Sequence, residues 1–243
     1  MIVYAKSDLG KARENNEDSY CIPNDENELK LYILADGMGG YKGGEVASKL
    51  AIESAKRYLE SNFKDIPHDR ASIEELIRSS VEYANMIVYE KSKDNKELEG
   101  MGTTLEICLV YGNKVYIGHV GDSRIYRIRK NIIRKLTTDH SYVEKLVKEG
   151  TITREEAEHH PKKNMLIKAL GCTSYVEPDI ITKGFLKEDI ILMSSDGLTN
   201  MIDDNEIYNI VTTEKENATE KLVNRANELG GYDNITVVIV YNN

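Results

Sequence analysis

The sequence predicts an α+β fold of antiparallel sheets covered by helices, and three observations carry that expectation. The stretch TTLEICLVYGNKVYIGHVGDSRIYRIRKNIIRKL reads as four short strands with turn residues at Gly112-Asn113, Gly121-Asp122 and Lys130-Asn131. Two long segments, 44–60 and 72–92, carry helical apolar stripes. Strands and helices do not alternate as they do in a parallel βαβ fold.

The remaining elements follow in order. Strands are expected at 2–6, 18–22 and 30–35, where the last of these ends at Asp36. The helix over 44–60 places Val46, Leu50, Ala51, Ala55, Tyr58 and Leu59 on one face. The helix over 72–92 does so with Ile73, Leu76, Ile77, Val81, Ala84, Ile87 and Val88. After the four-strand meander, residues 139–170 read as helical and polar, with Thr153 and Glu156 in capping-box spacing. Strands follow at 177–183 and 189–195. Helices follow at 204–212, capped by Asp203, and at 218–229, ended by Gly230-Gly231. NITVVIVY closes the chain as a strand. Two packed sheets need helices on both outer faces, and two pairs of helices are present.

Composition narrows the function. The chain has 243 residues, enough for a sizeable core. Its net charge is 32 − 41 = −9, and no run of five basic residues occurs, which argues against nucleic acid as a partner. Cys21, Cys108 and Cys172 form neither a CxxC pair nor a disulfide framework, so a reducing compartment fits. No signal peptide and no membrane-spanning stretch is read at either end or between, so a cytoplasmic location is expected.

The informative residues are carboxylates. In LYILADGMGG an apolar strand runs into Asp36-Gly37, and no second strand follows. DIILMSSDGLTN repeats the arrangement at Asp196-Gly197. Asp233 precedes the last strand, Glu17-Asp18 opens an early one, and Asp122 sits in the GDSR turn. Taken singly, Asp122 is a hairpin residue, Asp233 a helix-exit residue and Glu17-Asp18 a solvated strand start. Convergence changes this. Mg²⁺ and Mn²⁺ take oxygen ligands, one or two carboxylates each with water, whereas converged carboxylates without a cation repel severely. Two ions about 4 Å apart can activate water for in-line attack on phosphorus. Arg13, five residues before Asp18, is the type of residue that grips a phosphate bidentately.

The ordered set of motifs resembles the PPM family of metal-dependent serine/threonine phosphatases, the protein phosphatase 2C type, in its compact bacterial form. The matching residues are Arg13-Glu14-Asn15-Asn16-Glu17-Asp18, Asp36-Gly37-Met38-Gly39-Gly40, Gly102-Thr103-Thr104 and Gly121-Asp122-Ser123-Arg124. They continue with Asp139-His140-Ser141, Ala169-Leu170-Gly171, Ser195-Asp196-Gly197-Leu198 and Asp233-Asn234-Ile235-Thr236. The resemblance implies a four-layer αββα sandwich of two antiparallel sheets flanked by helices, forming one catalytic domain over 1–243 with a flap near 141–168. It implies two Mn²⁺ or Mg²⁺ ions in the core and a weaker third. Asp36 would bridge the two ions, Gly37 would give a carbonyl, and Asp18, Asp196 and Asp233 would complete the second site. Asp122, with Asp196, would hold the third ion. Arg13 would hold the substrate phosphate, and Glu17 would orient metal-bound water.

The implied reaction is hydrolysis of phosphoserine or phosphothreonine on proteins by a metal-bridging water. Phosphorylated proteins are the implied partners, among them a Ser/Thr kinase; no membrane partner is implied, and a monomer is the default. One departure stands out. Animal members carry a histidine, the proposed proton donor, where this chain has Met38, which cannot donate a proton. A metal-bound water and His140 are the remaining candidates. His159-His160, read as helical, diverge and are assigned to the surface. A cysteine phosphatase is excluded, since Asn27, Lys114 and Pro178 occupy the C-x5-R arginine positions, and no DxDxT occurs. A non-catalytic phosphoprotein-binding module is the rival from another class, separated by turnover with and without Mn²⁺. A phosphatase of anti-sigma-factor antagonists is a nearer alternative; those usually carry sensor domains.

Overall fold

In a computed structural model that describes residues 1–24, 29–39 and 43–243, two antiparallel sheets face each other, with helices outside both. The strands are β1 (Ile2–Asp8), β2 (Asp18–Cys21), β3 (Leu31–Met38), β4 (Gly102–Thr103), β5 (Leu105–Tyr111) and β6 (Lys114–Val120). They continue as β7 (Arg124–Arg129), β8 (Ile132–Lys135), β9 (Asp179–Gly184), β10 (Ile190–Ser194) and β11 (Ile235–Tyr241). The helices are α1 (Gly43–Asn62), α2 (Arg70–Asp94), α3 (Tyr142–Lys148), α4 (Arg154–Glu158), α5 (Asp196–Thr199), α6 (Asp204–Glu214) and α7 (Ala218–Glu228). One sheet has the order β1-β11-β10-β7-β8. The other has the order β2-β3-β5-β6-β9, with β4 added to β3.

Side-chain alternation explains why these strands read as nearly continuous apolar runs. Leu31, Ile33 and Ala35 point outward to α1 and α2, while Tyr32 and Leu34 point between the sheets. In β11, Ile235, Val237 and Ile239 pack outward under α6 and α7, and Val238 and Val240 fill the inter-sheet layer. Both faces of the central strands β3, β5, β6, β10 and β11 are buried, so neither face of these strands needs polar residues. Continuing the period of two along β3 aims Asp36 into the space between the sheets.

Four sequence expectations change. The strand through Asp36 does not stop there. It runs to Met38 because Gly37 and Met38 pair with Thr103 and Gly102 of β4, a segment too remote in sequence to be anticipated. The four-strand meander is divided: β5 and β6 belong to one sheet, β7 and β8 to the other. Gly121-Asp122 is therefore a crossover between sheets and not a hairpin. Lys130-Asn131 is the hairpin turn, with both residues at positive φ. Within 139–170 only α3 and α4 are helical, and the remainder follows turns stabilised by backbone bonds such as Tyr142 N–H to Met165 O and Ile167 N–H to His140 O. His159 caps α4 and His160 lies beyond it, so this pair is not on a helix. The predicted capping box is present, with Thr153 and Glu156 bonded reciprocally. Gly40 of the glycine-rich bend lies outside the described residues. Among the described residues, no helix is long and apolar enough to cross a membrane.

Candidate metal centre

Strand register brings the predicted carboxylates together. Asp18 of β2 stands directly opposite Asp36 of β3 in an antiparallel pair. Like charges directly opposite one another on a sheet are destabilising. From the facing sheet, Asp196 begins α5 immediately after β10, and Asp233 precedes β11. Asp122 occupies the crossover between β6 and β7.

Each of the other four carboxylates lies within electrostatic reach of Asp36. Burial, then the charges of Asp18, Asp196, Asp122 and Asp233, hold the Asp36 carboxyl well above its usual range. Burial lifts Asp18 to about 7 against hydrogen bonds from Thr236 and Ser195 that favour its ionised form. Burial and the Asp196 charge lift Asp122 to about 8, and burial with the Asp233 charge lifts Asp196 to about 6. Among the described residues no three of them already close on one point as a finished cage.

Two observations fit this set to hard cations. Asp18 Oδ1 and Asp196 Oδ1 are buried without a hydrogen-bond partner among the described residues, and a buried carboxylate oxygen left unpaired is costly. The assembled donors are all oxygens, the chemistry that Mg²⁺ and Mn²⁺ select.

Glycines set the geometry by close approach. A Cβ on Gly37 would lie 2.1 Å from the Gly44 carbonyl oxygen and 2.7 Å from that of Glu17. A Cβ on Gly197 would lie 2.0 Å from the Asn234 carbonyl oxygen. Each Asp-Gly pair thus packs its glycine against the backbone that carries another part of the site.

The two remaining predicted residues sit at the edge. Arg13 Nη2 donates to Asp233 Oδ2 at 2.8 Å, with the guanidinium half exposed. Glu17 is anchored through its backbone: its N–H donates to Asn234 Oδ1, and its carbonyl accepts from Gly37 N–H and Ser48 Oγ–H. Burial raises its carboxyl, and a Cβ on Gly44 would lie 2.6 Å from it.

His140 is engaged elsewhere. Its Nδ1 accepts from Gly121 N–H at 3.1 Å, and its Nε2 lies 3.4 Å from Asp179. Burial and the stacked His119 ring lower it to about 4, so it is neutral near pH 7 with its acceptor nitrogen occupied. This arrangement braces the Asp122 turn, and the remaining ring proton, on Nε2, faces Asp179. His119 itself is bonded to Glu106 Oε1 and to the Thr138 carbonyl, fully buried.

Sequence reasoning assigned no role to the hydroxyls around the carboxylates. Thr104 Oγ1 accepts from Asp36 N–H, and Thr104 N–H and Thr103 Oγ1–H both donate to Asp36 O. Ser123 Oγ bonds to Thr104 Oγ1 at 2.9 Å, linking this clamp to the residue beside Asp122. Asn234 Nδ2 donates to the Leu9 and Asn15 carbonyls and so pins the Arg13 loop. A local signal existed only for Ser123, Ser195 and Asn234, which stand directly beside Asp122, Asp196 and Asp233; Thr103 and Thr104 are remote from Asp36 in sequence.

The chain matches the model of the family described as "Protein phosphatase 2C" over residues 11–230. It belongs to the protein phosphatase 2C family. A Listeria welshimeri protein named serine/threonine phosphatase stp is 37% identical over 98% of this chain and 94% of its own length. The solved serine/threonine phosphatase of S. agalactiae superposes with a TM-score of 0.91 at 36% identity, covering 100% of this chain and 99% of that one. The catalytic domain of the phosphatase PstP, solved in complex with 2 manganese ions, has a TM-score of 0.84 at 35% identity over 98% of this chain and 96% of that one. The double sandwich and the acidic space between its sheets are therefore those of a protein phosphatase 2C member. Met38, which ends β3, packs its methyl group near Gly102.

Proposed function

We infer that this chain is a metal-dependent protein serine/threonine phosphatase whose reaction centre is the acidic space between the two sheets. The observation that carries the reading is Asp36 crowded by four further carboxylates, Asp18, Asp122, Asp196 and Asp233, with unpartnered buried oxygens on Asp18 and Asp196. Asp36 would hold two divalent ions at once, Gly37 would add a carbonyl, Asp18, Asp196 and Asp233 would complete one site, and Asp122 with Asp196 would hold a weaker third ion. When bound, the cations, Mn²⁺ or Mg²⁺, supply an activated water and neutralise charge on the phosphoryl oxygens.

The chain's own residues prepare the site. The Thr103-Thr104 clamp fixes the backbone of Asp36, so the carboxylate does not have to be ordered when cation and substrate arrive. Arg13, half exposed at the rim, rests on Asp233 and has guanidinium donors left for a phosphate. Glu17 is held beside the N-terminus of α1 and orients water. Neither Met38 nor His140 delivers the proton to the serine or threonine leaving oxygen, which leaves solvent held at the centre as the donor.

An open cleft of about 830 Å³ extends from Asp122 and Asp196 under the α3–α4 segment, lined also by Glu144, Arg154 and Lys163. Residues 141–168 act as a flap over this cleft, within a single catalytic domain, and phosphorylated protein chains enter there. The enzyme acts as a monomer in the cytoplasm and opposes a Ser/Thr protein kinase. The test is phosphate release from a phosphothreonine peptide by the metal-free protein, titrated with Mn²⁺ and separately with Mg²⁺. Release that rises from background with added cation supports the reading. Release that is equal in chelator overturns it.

A further inference from the structure

Ser195, the residue between β10 and Asp196, is fully buried. Its Oγ lies 2.7 Å from Asp18 Oδ2, 3.0 Å from Thr236 N and 3.5 Å from the Asn234 carbonyl oxygen. A hydroxyl has one proton and accepts with its lone pairs. Thr236 N–H must donate into Oγ, so the single Ser195 proton goes to one of two acceptors. Asp18 Oδ2 is nearer and is the stronger acceptor, being a carboxylate. The direction of the hydroxyl is thus determined by its neighbours.

The consequence falls on Asp18. One carboxylate oxygen, Oδ2, is occupied by Ser195. The other, Oδ1, is buried with no partner among the described residues. Beside it, Asn16 Nδ2–H donates to Ser7 Oγ, and Ser7 Oγ and Thr236 Oγ1 bond to each other at 2.7 Å, which holds Thr236 in place. The Ser195 N–H also donates to the Thr236 carbonyl at 3.1 Å, so the hydroxyl is held from a rigid backbone clamp.

We propose that Ser195 is a positioning residue that makes Asp18 a one-oxygen ligand, turning Oδ1 to the cation and thereby setting the affinity of one of the two core ions. The proposal rests on the metal-centre assignment above and adds a residue to it. Ser195 does not touch substrate. Outer partners of this kind typically tune metal affinity by about 10- to 100-fold.

The test is Mn²⁺ binding to the metal-free full chain, followed by calorimetric titration and by the Mn²⁺ paramagnetic resonance signal, for wild type, Ser195→Ala and Ser195→Thr. In Ser195→Ala one binding event weakens by about 10- to 100-fold while the other is unchanged. KM for a phosphothreonine peptide at saturating Mn²⁺ stays at the wild-type value. Ser195→Thr, which keeps the donor, recovers the lost affinity. Ser195→Cys, close in shape but a weak donor, is read in place of alanine if the alanine variant does not fold. Equal Mn²⁺ affinities in wild type and Ser195→Ala, or a folded Ser195→Thr as weak as alanine, overturn the positioning role while leaving the metal centre intact. A wild type that binds no Mn²⁺ overturns both.

Discussion

The hydrogen atom that serves as the side chain of Gly37 decides how closely β3 can lie against the start of α1. A methyl group there would stand 2.1 Å from the Gly44 carbonyl oxygen, and that oxygen belongs to backbone that cannot swing aside. Gly37→Ala is therefore expected to destabilise the protein by about 1–3 kcal/mol, the range for forced overpacking. Urea unfolding of the metal-free protein measures it, and an unchanged midpoint would contradict the packing described. At the same scale, the hydroxyls of Thr103, Thr104 and Ser195 explain how buried carboxylates are held ready. These roles were not legible in the sequence because each partner is distant: Thr104 lies 68 positions from Asp36, and Ser195 lies 177 from Asp18. Asp36 and Asp196 were conspicuous locally, since each follows an apolar run and precedes a glycine.

At the scale of elements, local signals succeeded where structure is local. The helical stripes of α1 and α2, the Asp203 cap of α6 and the capping box of α4 all depend on residues within a turn or two. The failures lie where a distant segment decides. Asp36 was read as a strand end because β4, its continuation partner, lies more than sixty residues later. GDSR was read as a hairpin because a crossover between sheets uses the same turn residues. The polar stretch after His140 was read as helix throughout, although most of it is held by backbone bonds to remote carbonyls. The α4 cap gives a prediction confined to its element. Thr153→Ala removes a cap worth about 0.5–2 kcal/mol, so amide exchange should accelerate in residues 154–158. The global melting temperature should hardly move, because α4 has no buried residue in the main core. A large drop in global stability would show that this segment is part of the core.

For the whole molecule, the dominant fact is an acidic chain that concentrates five carboxylates between its sheets. In the metal-free protein, burial and mutual repulsion hold Asp36 high and place Asp18 near 7, Asp122 near 8 and Asp196 near 6, against about 3.9 for an unfolded aspartate. The folded chain therefore binds more protons than the unfolded chain between about pH 4 and 8, and its stability falls as pH rises through that window. Thermal melts in chelator should show a decline from pH 5 to pH 8. Excess Mn²⁺ should remove the decline, since the cation takes the place of the protons. A flat profile in chelator would mean the carboxylates do not share one buried space. The most direct test of the central claim is Asp36→Asn, read by Mn²⁺-dependent phosphate release from a phosphothreonine peptide alongside the melt of the metal-free protein. The expected result is release at background with the fold retained. A variant that keeps near-full activity would show that Asp36 does not hold the cations and that the centre described here is not where the phosphate is cleaved.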